Sequence, residues 1–369
     1  MAKSSAKPKK GIITDRSFNF LKQYINNASP VGFETWGQKL WLEYLKPYVD
    51  ETYVDPYGTA VGIIQPGHEF RVVIEAHADE ISWFVNYVTT DGLIYLKRNG
   101  GVDHQTAPAS RVFIHGKKGP VKAVFGWPAI HTRIGGDGKE NQPKTENLWL
   151  DCGARNRKEV EALGIHIGAV VTYQDGFDEL ANGNYIGRAF DNRIGGFMIA
   201  EVARMLKENK KRLPYGLYVV NAVQEEIGLR GAEMIARRIK PHIAIVTDVT
   251  HDTTTPMINK NIEGEVFCGK GPSLSYAPAV HNKLLAVVEK VAADKKIAVQ
   301  WRALSRSTGT DTDSFAYSND GCPSVLISIP LRYMHTTVEM LHRDDIEGTI
   351  RLMYETLLTL SPKTNLNYL

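Results

Sequence analysis

The chain has 369 residues, is 43% hydrophobic and 23% charged, and carries a formal net charge of +3, a composition typical of a globular protein with a large core. This near balance of charge argues against a nucleic-acid partner, and no apolar run is long enough to cross a membrane. Residues 1–10 are basic and polar without an apolar centre, so they predict a solvated tail rather than a secretory signal. Three widely spaced cysteines favour a reducing, cytoplasmic setting over a disulfide framework.

The first eighty residues alternate between helical and extended patterns. Thr14 is the predicted N-cap of a helix from Asp15 to about Asn27, and a second helix is predicted around residues 36–45. Strands are predicted over residues 57–64 and 70–74, with a Pro-Gly turn between them. This alternation favours an α/β domain.

Two polar residues, His77 and Asp79, follow the second of these strands and lie on the same side of an extended chain. An imidazole that binds a metal usually has a carboxylate on its other nitrogen, which fixes the tautomer. A hydrogen-bonded histidine beside a turn acid is the commoner meaning of so short a motif. The pair becomes informative only together with other ligand-type residues.

The composition of the sequence changes after residue 80, where glycines become frequent and the predicted strands are short. Short strands are predicted over residues 111–115, 121–125 and 169–173. The polar stretch Trp127–Asn147 is too long for an ordinary connection, which indicates a mobile segment or a binding or oligomer surface. We expect a small β-rich domain, residues 81–181, inserted into an α/β domain made of residues 1–80 and 182–369.

Asp191 stands at the start of the next predicted helix, which runs to about Leu206. An aspartate in this position can accept hydrogen bonds from the first N–H groups of the helix as an N-cap. Taken alone, Asp191 is better explained as a cap than as a metal ligand.

A buried strand is predicted over residues 215–223, and it leads into the adjacent acids Glu225 and Glu226 before a helix over residues 230–239. Adjacent residues of a strand point to opposite faces, so the two carboxylates are expected to differ in role, one toward a metal and one toward a substrate. Taken alone, the pair is equally consistent with an acidic surface turn.

Two more predicted strands end in polar residues. The strand over residues 242–248 ends in Asp248, and His335 lies just past the strand over residues 323–329. Further elements are a strand over residues 297–301 and helices over residues 282–294 and 344–360.

Ligands of an open α/β sheet bind outside the carboxyl ends of its strands. Imidazole or carboxylate side chains occupy these positions here: His77 with Asp79, Glu225 with Glu226, Asp248, His335 and, opening a helix, Asp191. Such donors suit zinc, cobalt or manganese, and two ions about 3.5–4 Å apart can share one carboxylate and one water. A carboxylate outside the metal shell can then carry a proton from the water to a leaving amine. The joint pattern predicts hydrolysis with two divalent metal ions.

Six segments of the sequence carry a resemblance to a known family. They are Val31-Gly32-Phe33-Glu34, Ala76-His77-Ala78-Asp79-Glu80-Ile81, Ala189-Phe190-Asp191-Asn192-Arg193, the run from Val223 to Ala232, Thr247-Asp248-Val249-Thr250, and the run from Ile329 to His335. Over nearly its whole length the sequence resembles the tetrahedral (TET) metalloaminopeptidases, which include glutamyl, leucyl and deblocking aminopeptidases. The resemblance implies a zinc-peptidase-like mixed sheet flanked by helices, with an inserted β-barrel or PDZ-like domain used for dimerisation. It also implies short peptide substrates and twelve subunits in a hollow shell.

The same resemblance implies roles for the site residues. The implied ligands form two groups that share one aspartate, namely His77, Asp191 and Asp248 for one ion and Asp191, Glu226 and His335 for the other. Glu225 would be the general base, and Asp79 would orient His77. The sequence departs from the family pattern at Ala78, Ser82, Asn192 and Gly196, none of which is an implied ligand.

Other functions remain open at this stage. Some members of the family carry an endoglucanase label, and a glycoside hydrolase would need two carboxyl groups on either side of a sugar bond. A metal-dependent deacylase or carboxypeptidase, or an assembly protein without activity, would also retain parts of the pattern. Residues 253–257, 308–313 and 336–340 are candidates for contacts with the substrate side chain.

Overall fold

The computed structural model describes residues 11–133 and 140–369. The predicted tail, residues 1–10, and the centre of the polar stretch Trp127–Asn147 lie outside the described residues. Within the described ranges the chain forms a large mixed sheet flanked by helices and a closed antiparallel barrel. The predicted fold class, an α/β protein with a small β-barrel, is confirmed.

The elements follow one another along the chain in the order of their numbers. The strands are β1 (Glu51–Val54), β2 (Ala60–Ile64), β3 (Arg71–His77), β4 (Ser82–Val88), β5 (Ile94–Asn99), β6 (Arg111–Gly116), β7 (Gly119–Gly126), β8 (Trp149–Asp151), β9 (Val170–Tyr173), β10 (Asp178–Glu179), β11 (Asn184–Gly187), β12 (Gly216–Ala222), β13 (Ile243–His251), β14 (Ser273–Tyr276), β15 (Gln300–Ala303), β16 (Ser324–Leu331) and β17 (Glu339–His342). The α-helices are α1 (Asp15–Asn26), α2 (Thr35–Leu45), α3 (Arg157–Ala162), α4 (Phe190–Glu208), α5 (Arg230–Ile239), α6 (Lys260–Glu263), α7 (Asn282–Lys295), α8 (Asp311–Ala316) and α9 (Arg343–Thr359).

The main sheet has the order β1-β2-β12-β3-β13-β16-β14-β15. Its central strands β12, β3, β13 and β16 are mutually parallel, whereas β1, β2 and β14 run antiparallel to their inner neighbours. In this register Ala222 pairs with His77, and Asp248 pairs with Ser328. The carboxyl ends of the parallel strands therefore meet at one edge of the sheet, where ligands of open α/β sheets bind.

Helices cover the central strands. Helix α4 packs on β3 and β13, and it also contacts α1, α2 and α9. Because the central strands are covered, β13 is buried from Ile243 to Thr250 and is mostly apolar, as is usual for a parallel strand. In the part of the chain that the structure describes, no helix has both the length and the apolar character needed to span a bilayer.

The barrel is closed in the order β4-β5-β8-β7-β6-β9, with every neighbouring pair antiparallel. It has an apolar core of its own, in which Trp83 packs edge-on against Phe125. Closure pairs the strands that would otherwise be exposed edges. All six strands lie within the predicted insert, residues 81–181.

A small sheet, β10-β11-β17, connects the end of the predicted insert to the later chain. Strand β11 pairs with β10 on one side and with β17 on the other, so that Tyr185 lies opposite Leu341. This sheet brings Glu339, at the start of β17, close to the beginning of α4.

The predicted elements agree with the structure best where the signal is local. The N-cap at Thr14 is confirmed, because its side chain accepts a hydrogen bond from the N–H of Ser17 in a capping box. The predicted strand over residues 57–64 was wrong at its start. The Asp55 carboxylate accepts the N–H groups of Tyr57, Gly58 and Thr59, and this makes a turn between β1 and β2.

Candidate active site

The predicted site residues converge at the carboxyl edge of the main sheet. His77 is the last residue of β3, and the turn after β12 carries Glu225 and Glu226. Asp248 lies within β13, which continues to His251, so the prediction that the strand ends at Asp248 was wrong. The parallel pairing of β12, β3 and β13 brings these side chains together.

The two adjacent glutamates lie in a 3₁₀ turn, Glu225–Ile227, and not on a strand. The argument from alternating strand faces was therefore wrong. The turn starts after Gln224, which has a φ of 58°, and this left-handed residue directs the chain away from the sheet. As a result Glu225 Oε2 lies 3.8 Å from His77 Nε2, whereas Glu226 Oε1 lies 3.3 Å from His335 Nε2.

Asp191 lies between the two histidines. Its Oδ1 is 3.3 Å from His77 Nε2, and its Oδ2 is 3.3 Å from His335 Nε2. The N-cap of α4 is Ala189, and Asp191 has non-helical dihedral angles within the first turn. The interpretation of Asp191 as a simple cap was therefore wrong, and its carboxylate faces both imidazoles.

Two groups of possible ligands share this aspartate. Their ligand atoms lie within 4.8 Å of one another in His77, Asp191 and Asp248, and likewise in Asp191, Glu226 and His335. A further combination, His77 with Glu225 and Glu226, satisfies the same distance. The structure thus brings together every residue that was predicted to bind metal.

Asp79 is adjacent to the cluster and also makes contacts that the sequence did not indicate. Its two carboxylate oxygens accept the backbone N–H groups of Glu225 and Glu226 at 3.0 and 3.1 Å. The separation between Asp79 Oδ1 and His77 Nδ1 is 3.5 Å, which is long for a hydrogen bond. Asp79 therefore fixes the turn that carries the two glutamates and lies only at the margin of hydrogen-bond distance from His77.

Two residues that the sequence did not reveal also hold the cluster in place. The carboxylate of Glu339 accepts the backbone N–H of His335 at 2.9 Å and that of Asp191 at 3.1 Å. The carbonyl oxygen of Gly101, in the loop after β5, is 3.0 Å from His335 Nδ1 and accepts a hydrogen bond from its N–H group. This contact leaves His335 Nε2 free to face Asp191 and Glu226. The contact of Glu339 with Asp191 and that of Gly101 with His335 join segments that are distant in the chain, so they have no local sequence signal, whereas the contact of Glu339 with His335 spans only four residues.

The electrostatics of the cluster are dominated by burial of carboxylates. Burial raises the pKa of Glu225 to about 11 and that of Asp248 to about 8. Burial alone would lower the pKa of His335, but hydrogen bonds to Asp191 and Glu226 raise it to about 12. Burial alone would raise the pKa of Asp191, but hydrogen bonds and charge attraction from His335 and His77 lower it below its usual range. The cluster therefore needs positive charge to keep its carboxylates ionised.

Divalent cations fit this donor set. The nitrogens His77 Nε2 and His335 Nε2 each face a carboxylate oxygen of Asp191 at 3.3 Å. Imidazole nitrogen and carboxylate oxygen are the donors that zinc, cobalt and manganese accept in proteins. A cavity of about 290 Å³ opens beside the cluster, so the possible ligands are accessible from one side.

The fold and the cluster define an α/β protein with a candidate metal site at the carboxyl edge of its sheet, and the comparisons with known proteins identify its class. The family model described as M42 glutamyl aminopeptidase matches residues 58–352. The chain belongs to this family of aminopeptidases and is a peptidase.

Relatives and solved structures agree with this assignment. The chain is 31% identical to the lysyl aminopeptidase of Pyrococcus furiosus, over 94% of this chain and 98% of that protein. The crystal structure of a TET aminopeptidase from Thaumarchaeota archaeon SCGC AB-539-E09 superposes with a TM-score of 0.90 at 30% identity, covering 95% of this chain and 98% of the other. The Pyrococcus horikoshii TET1 peptidase, described as assembling into a tetrahedron or a large octahedral shell, shares the fold with a TM-score of 0.82 at 23% identity, over 93% of this chain and all of that one.

Proposed function

We propose that this chain is a dinuclear metal-dependent aminopeptidase that removes N-terminal residues from short peptides. The observation that carries the proposal is the position of Asp191, whose two oxygens each face a different histidine at 3.3 Å. A carboxylate in this position can bridge two ions. Membership of the M42 family favours peptides over the sugar substrates of a glycoside hydrolase.

In the proposed site the five ligands are divided as the family resemblance implies. One ion would be held by His77, Asp191 and Asp248, and the other by Asp191, Glu226 and His335. Zinc or cobalt suits these donors best, and manganese is also compatible. When bound, the two ions lower the pKa of a shared water and polarise the carbonyl of the scissile bond.

Glu225 is the proposed general base. Its carboxylate lies beside the cluster, and it is not required in either of the two ligand groups that share Asp191. Burial raises its pKa, so the positive charge of bound ions would be needed to leave it ionised and able to accept a proton. Asp79 holds its backbone N–H, so the carboxylate is positioned to take a proton from the attacking water and deliver it to the leaving amine. Glu339 and Gly101 position His335.

The size of the cavity favours the removal of single residues. At about 290 Å³ it falls at the lower end of the range of roughly 300–1,000 Å³ that is common for ligand pockets. Such a volume accommodates one terminal residue beside the ligands and not a long peptide segment on both sides of the scissile bond.

The substitution Glu225→Gln tests the proposal. It keeps the size of the side chain but removes the base, so kcat on an aminoacyl nitroanilide should fall by about 10²- to 10⁴-fold while two metal ions per chain remain bound. Glu233→Gln, on the exposed surface of α5, is the matched control and should behave like the wild type. Near wild-type turnover by the Glu225→Gln enzyme would refute the assignment. Activity on N-acylated peptides alone would point to a deacylase instead.

We also propose that the segment 81–181 is a dimerisation domain and that dimers assemble into a shell of twelve subunits. The barrel exposes apolar side chains, including Ile167 at 61% and Val124 at 43%, which a partner subunit could cover. Light scattering should give the mass of a dodecamer for the wild type. A monodisperse monomer at micromolar concentration would contradict this part of the proposal.

A further inference from the structure

A buried ion pair lies beside the ligand cluster, where the barrel joins the main sheet. Glu80 Oε2 is 2.7 Å from Arg188 Nη1, and the two side chains are only 4% and 7% exposed. The partners are 108 residues apart, because Glu80 precedes the first barrel strand, β4, and Arg188 follows β11. Both line a small cavity together with Asp191, Glu226 and His335. The pair is therefore close enough to the ligands to influence their positions.

The guanidinium of Arg188 uses all three of its nitrogens. Its Nε donates to the carbonyl oxygen of Tyr173, the last residue of the barrel strand β9, at 3.0 Å. Its Nη1 and Nη2 donate to the carbonyl oxygens of Ile25 and Asn26, at the carboxyl end of α1, at 3.3 and 3.4 Å. The helix dipole favours a cation at this end of a helix. Arg188 thus connects the barrel to α1 through a planar fork of donors.

The carboxylate of Glu80 is held by further contacts. Its Oε1 accepts the N–H of Ser29 at 2.7 Å, and the backbone of Glu80 bonds to Ser29 O and to the N–H of Val31. A second buried guanidinium, that of Arg193, lies 3.9 Å from Oε1 and over the ring of Tyr24. Both carboxylate oxygens therefore have partners, as a buried charge requires.

One member of the pair is adjacent in the chain to the support of the glutamate turn. Glu80 directly follows Asp79, whose carboxylate accepts the N–H groups of Glu225 and Glu226. Because the two residues are consecutive, a displacement of Glu80 would also displace the carboxylate that holds this turn.

The other member precedes the shared aspartate. Arg188 is three residues before Asp191, and the residue between them in the left-handed region is Ala189, with a φ of 60°. A left-handed alanine is strained, and such a residue persists only where its surroundings fix it. Arg188 fixes the chain before Ala189, and Glu339 fixes the chain after it by accepting the N–H of Asp191.

We propose that Glu80 and Arg188 are positioning residues of the metal site, whose ion pair holds the turn of Glu225 and Glu226 and the carboxylate of Asp191 in the arrangement that binds two ions. This inference rests on the proposed metal-dependent function and adds two residues that belong to neither ligand group. An ion pair with a purely structural role would affect the stability of the fold and not the affinity for metal.

The direct test is calorimetric titration of the metal-free protein with Co²⁺. Loss of a contact that supports a metal ligand typically weakens metal affinity by about 10- to 100-fold, and Arg188→Gln should show a loss of this size. Both ions should be affected, because Asp191 belongs to both ligand groups. Arg188→Lys keeps the charge without the fork of donors, so its affinity should lie between those of the wild type and Arg188→Gln.

Arg204→Gln is the matched control. Arg204 Nη2 is 2.8 Å from Glu201 Oε2, and these side chains are 6% and 0% exposed, so this pair is as buried as that of Glu80 and Arg188. It lies in the second half of α4, whereas Asp191 lies in the first turn of that helix. Arg204→Gln and Arg188→Gln should both lower Tm, but only Arg188→Gln should weaken metal binding.

The double variant Glu80→Gln with Arg188→Gln separates loss of the pair from burial of a lone charge. Removal of one partner leaves an uncompensated buried charge, which destabilises a protein more than removal of both partners. The double variant should therefore be folded by circular dichroism, even where a single variant is not. If the two residues act as a unit, its metal affinity should fall about as far as that of Arg188→Gln alone.

Amide hydrogen exchange tests the same inference without metal. In metal-free Arg188→Gln, the N–H groups of Asp191, Glu225 and Glu226 should exchange several-fold faster than in the wild type, because the hydrogen bonds to Glu339 and Asp79 open more often. In Arg204→Gln these N–H groups should exchange at the wild-type rate.

Three outcomes would overturn the inference. One is wild-type affinity for both ions in folded Arg188→Gln or in the double variant. Another is unchanged exchange of the three N–H groups in Arg188→Gln. The third is an equal loss of metal affinity in Arg204→Gln, since any buried ion pair would then have the same effect. A wild-type protein that binds no metal would instead refute the proposed function, and the exchange rates would then decide whether the pair positions these residues.

Discussion

The barrel and the carboxyl edge of the main sheet differ in whether their buried polar groups are hydrogen-bonded. In the barrel, the amide of Asn99 donates to Val31 O and Ser82 Oγ, and the indole N–H of Trp83 donates to Tyr173 Oη. At the sheet edge, several buried carboxylate and imidazole atoms have no such partner in the ranges that the structure describes. An unpaired buried polar group destabilises the folded state. The paired polar groups of the barrel therefore support folding. The unpaired groups of the sheet edge lower the stability of the folded protein, and they are available to bind a ligand.

The contrast extends beneath the ligand cluster. Glu75 on β3 and Asp311 in α8 are buried neighbours whose carboxyl groups face each other, and their oxygens have no further hydrogen-bond partner within residues 11–133 and 140–369. Burial raises the pKa of Glu75 to about 8 and also raises that of Asp311. The acidic character of this edge thus extends below the residues that face the cavity, and it makes bound cations an expected source of stability.

Removal of the metal ions should have the largest effect on activity, and it should affect the sheet edge and not the barrel. Dialysis against a chelator should abolish peptidase activity, and zinc or cobalt should restore it. Because the ions bind the native state, each should raise stability by about 2.7 kcal/mol at a metal concentration of 100 times its Kd. Thermal unfolding with and without metal measures this gain. Full activity in excess chelator would remove the basis for a metal site at the sheet edge.

A substitution in the barrel core should change the free energy of unfolding and leave metal binding unchanged. Trp83 is fully buried, so Trp83→Ala should lower the free energy of unfolding by about 3–5 kcal/mol. Metal content of the folded fraction should stay the same. Val124→Ala, at an exposed barrel position, is the control and should change stability by less than about 0.5 kcal/mol. A Trp83→Ala protein of wild-type stability would contradict the role assigned to the barrel core.

Gly101 joins the two regions, and its substitution should have the smallest effect of the three. A Cβ at this position would lie 2.8 Å from His335 Cε1, so Gly101→Ala should displace the imidazole. Loss of such a supporting contact typically lowers metal affinity or activity by about 10- to 100-fold. Gln105→Ala, exposed in the same loop, serves as the control. If Gly101→Ala kept wild-type metal affinity and kcat, the barrel would not support the site.

The sequence predicted the location of the site because the relevant rule is general. Polar residues that follow parallel strands meet at one edge of a sheet, and His77, Asp248 and the turn after β12 do so here. Helix signals such as the Thr14 cap were equally clear because they depend on neighbours in the chain. The resemblance to a family supplied the sharing of Asp191 by two groups, which no periodicity could reveal.

Other features depend on the tertiary structure and could not be predicted. The placement of Glu225 and Glu226 depends on the left-handed residue Gln224, which the pattern of apolar residues does not indicate. The Glu339 carboxylate accepts the N–H of Asp191, and the Gly101 carbonyl oxygen contacts the His335 ring, so their roles depend on residues far away in the chain and follow only from the folded contacts. Such contacts have no local signature.

Anomalous X-ray diffraction from crystals of the metal-loaded protein, recorded at the absorption edge of the metal, tests the central claim most directly. Two peaks per chain are expected, one among His77, Asp191 and Asp248 and one among Asp191, Glu226 and His335. Two ions on opposite sides of Asp191 would establish it as the shared ligand. A single peak, or peaks away from these side chains, would show that Asp191 does not bridge two ions.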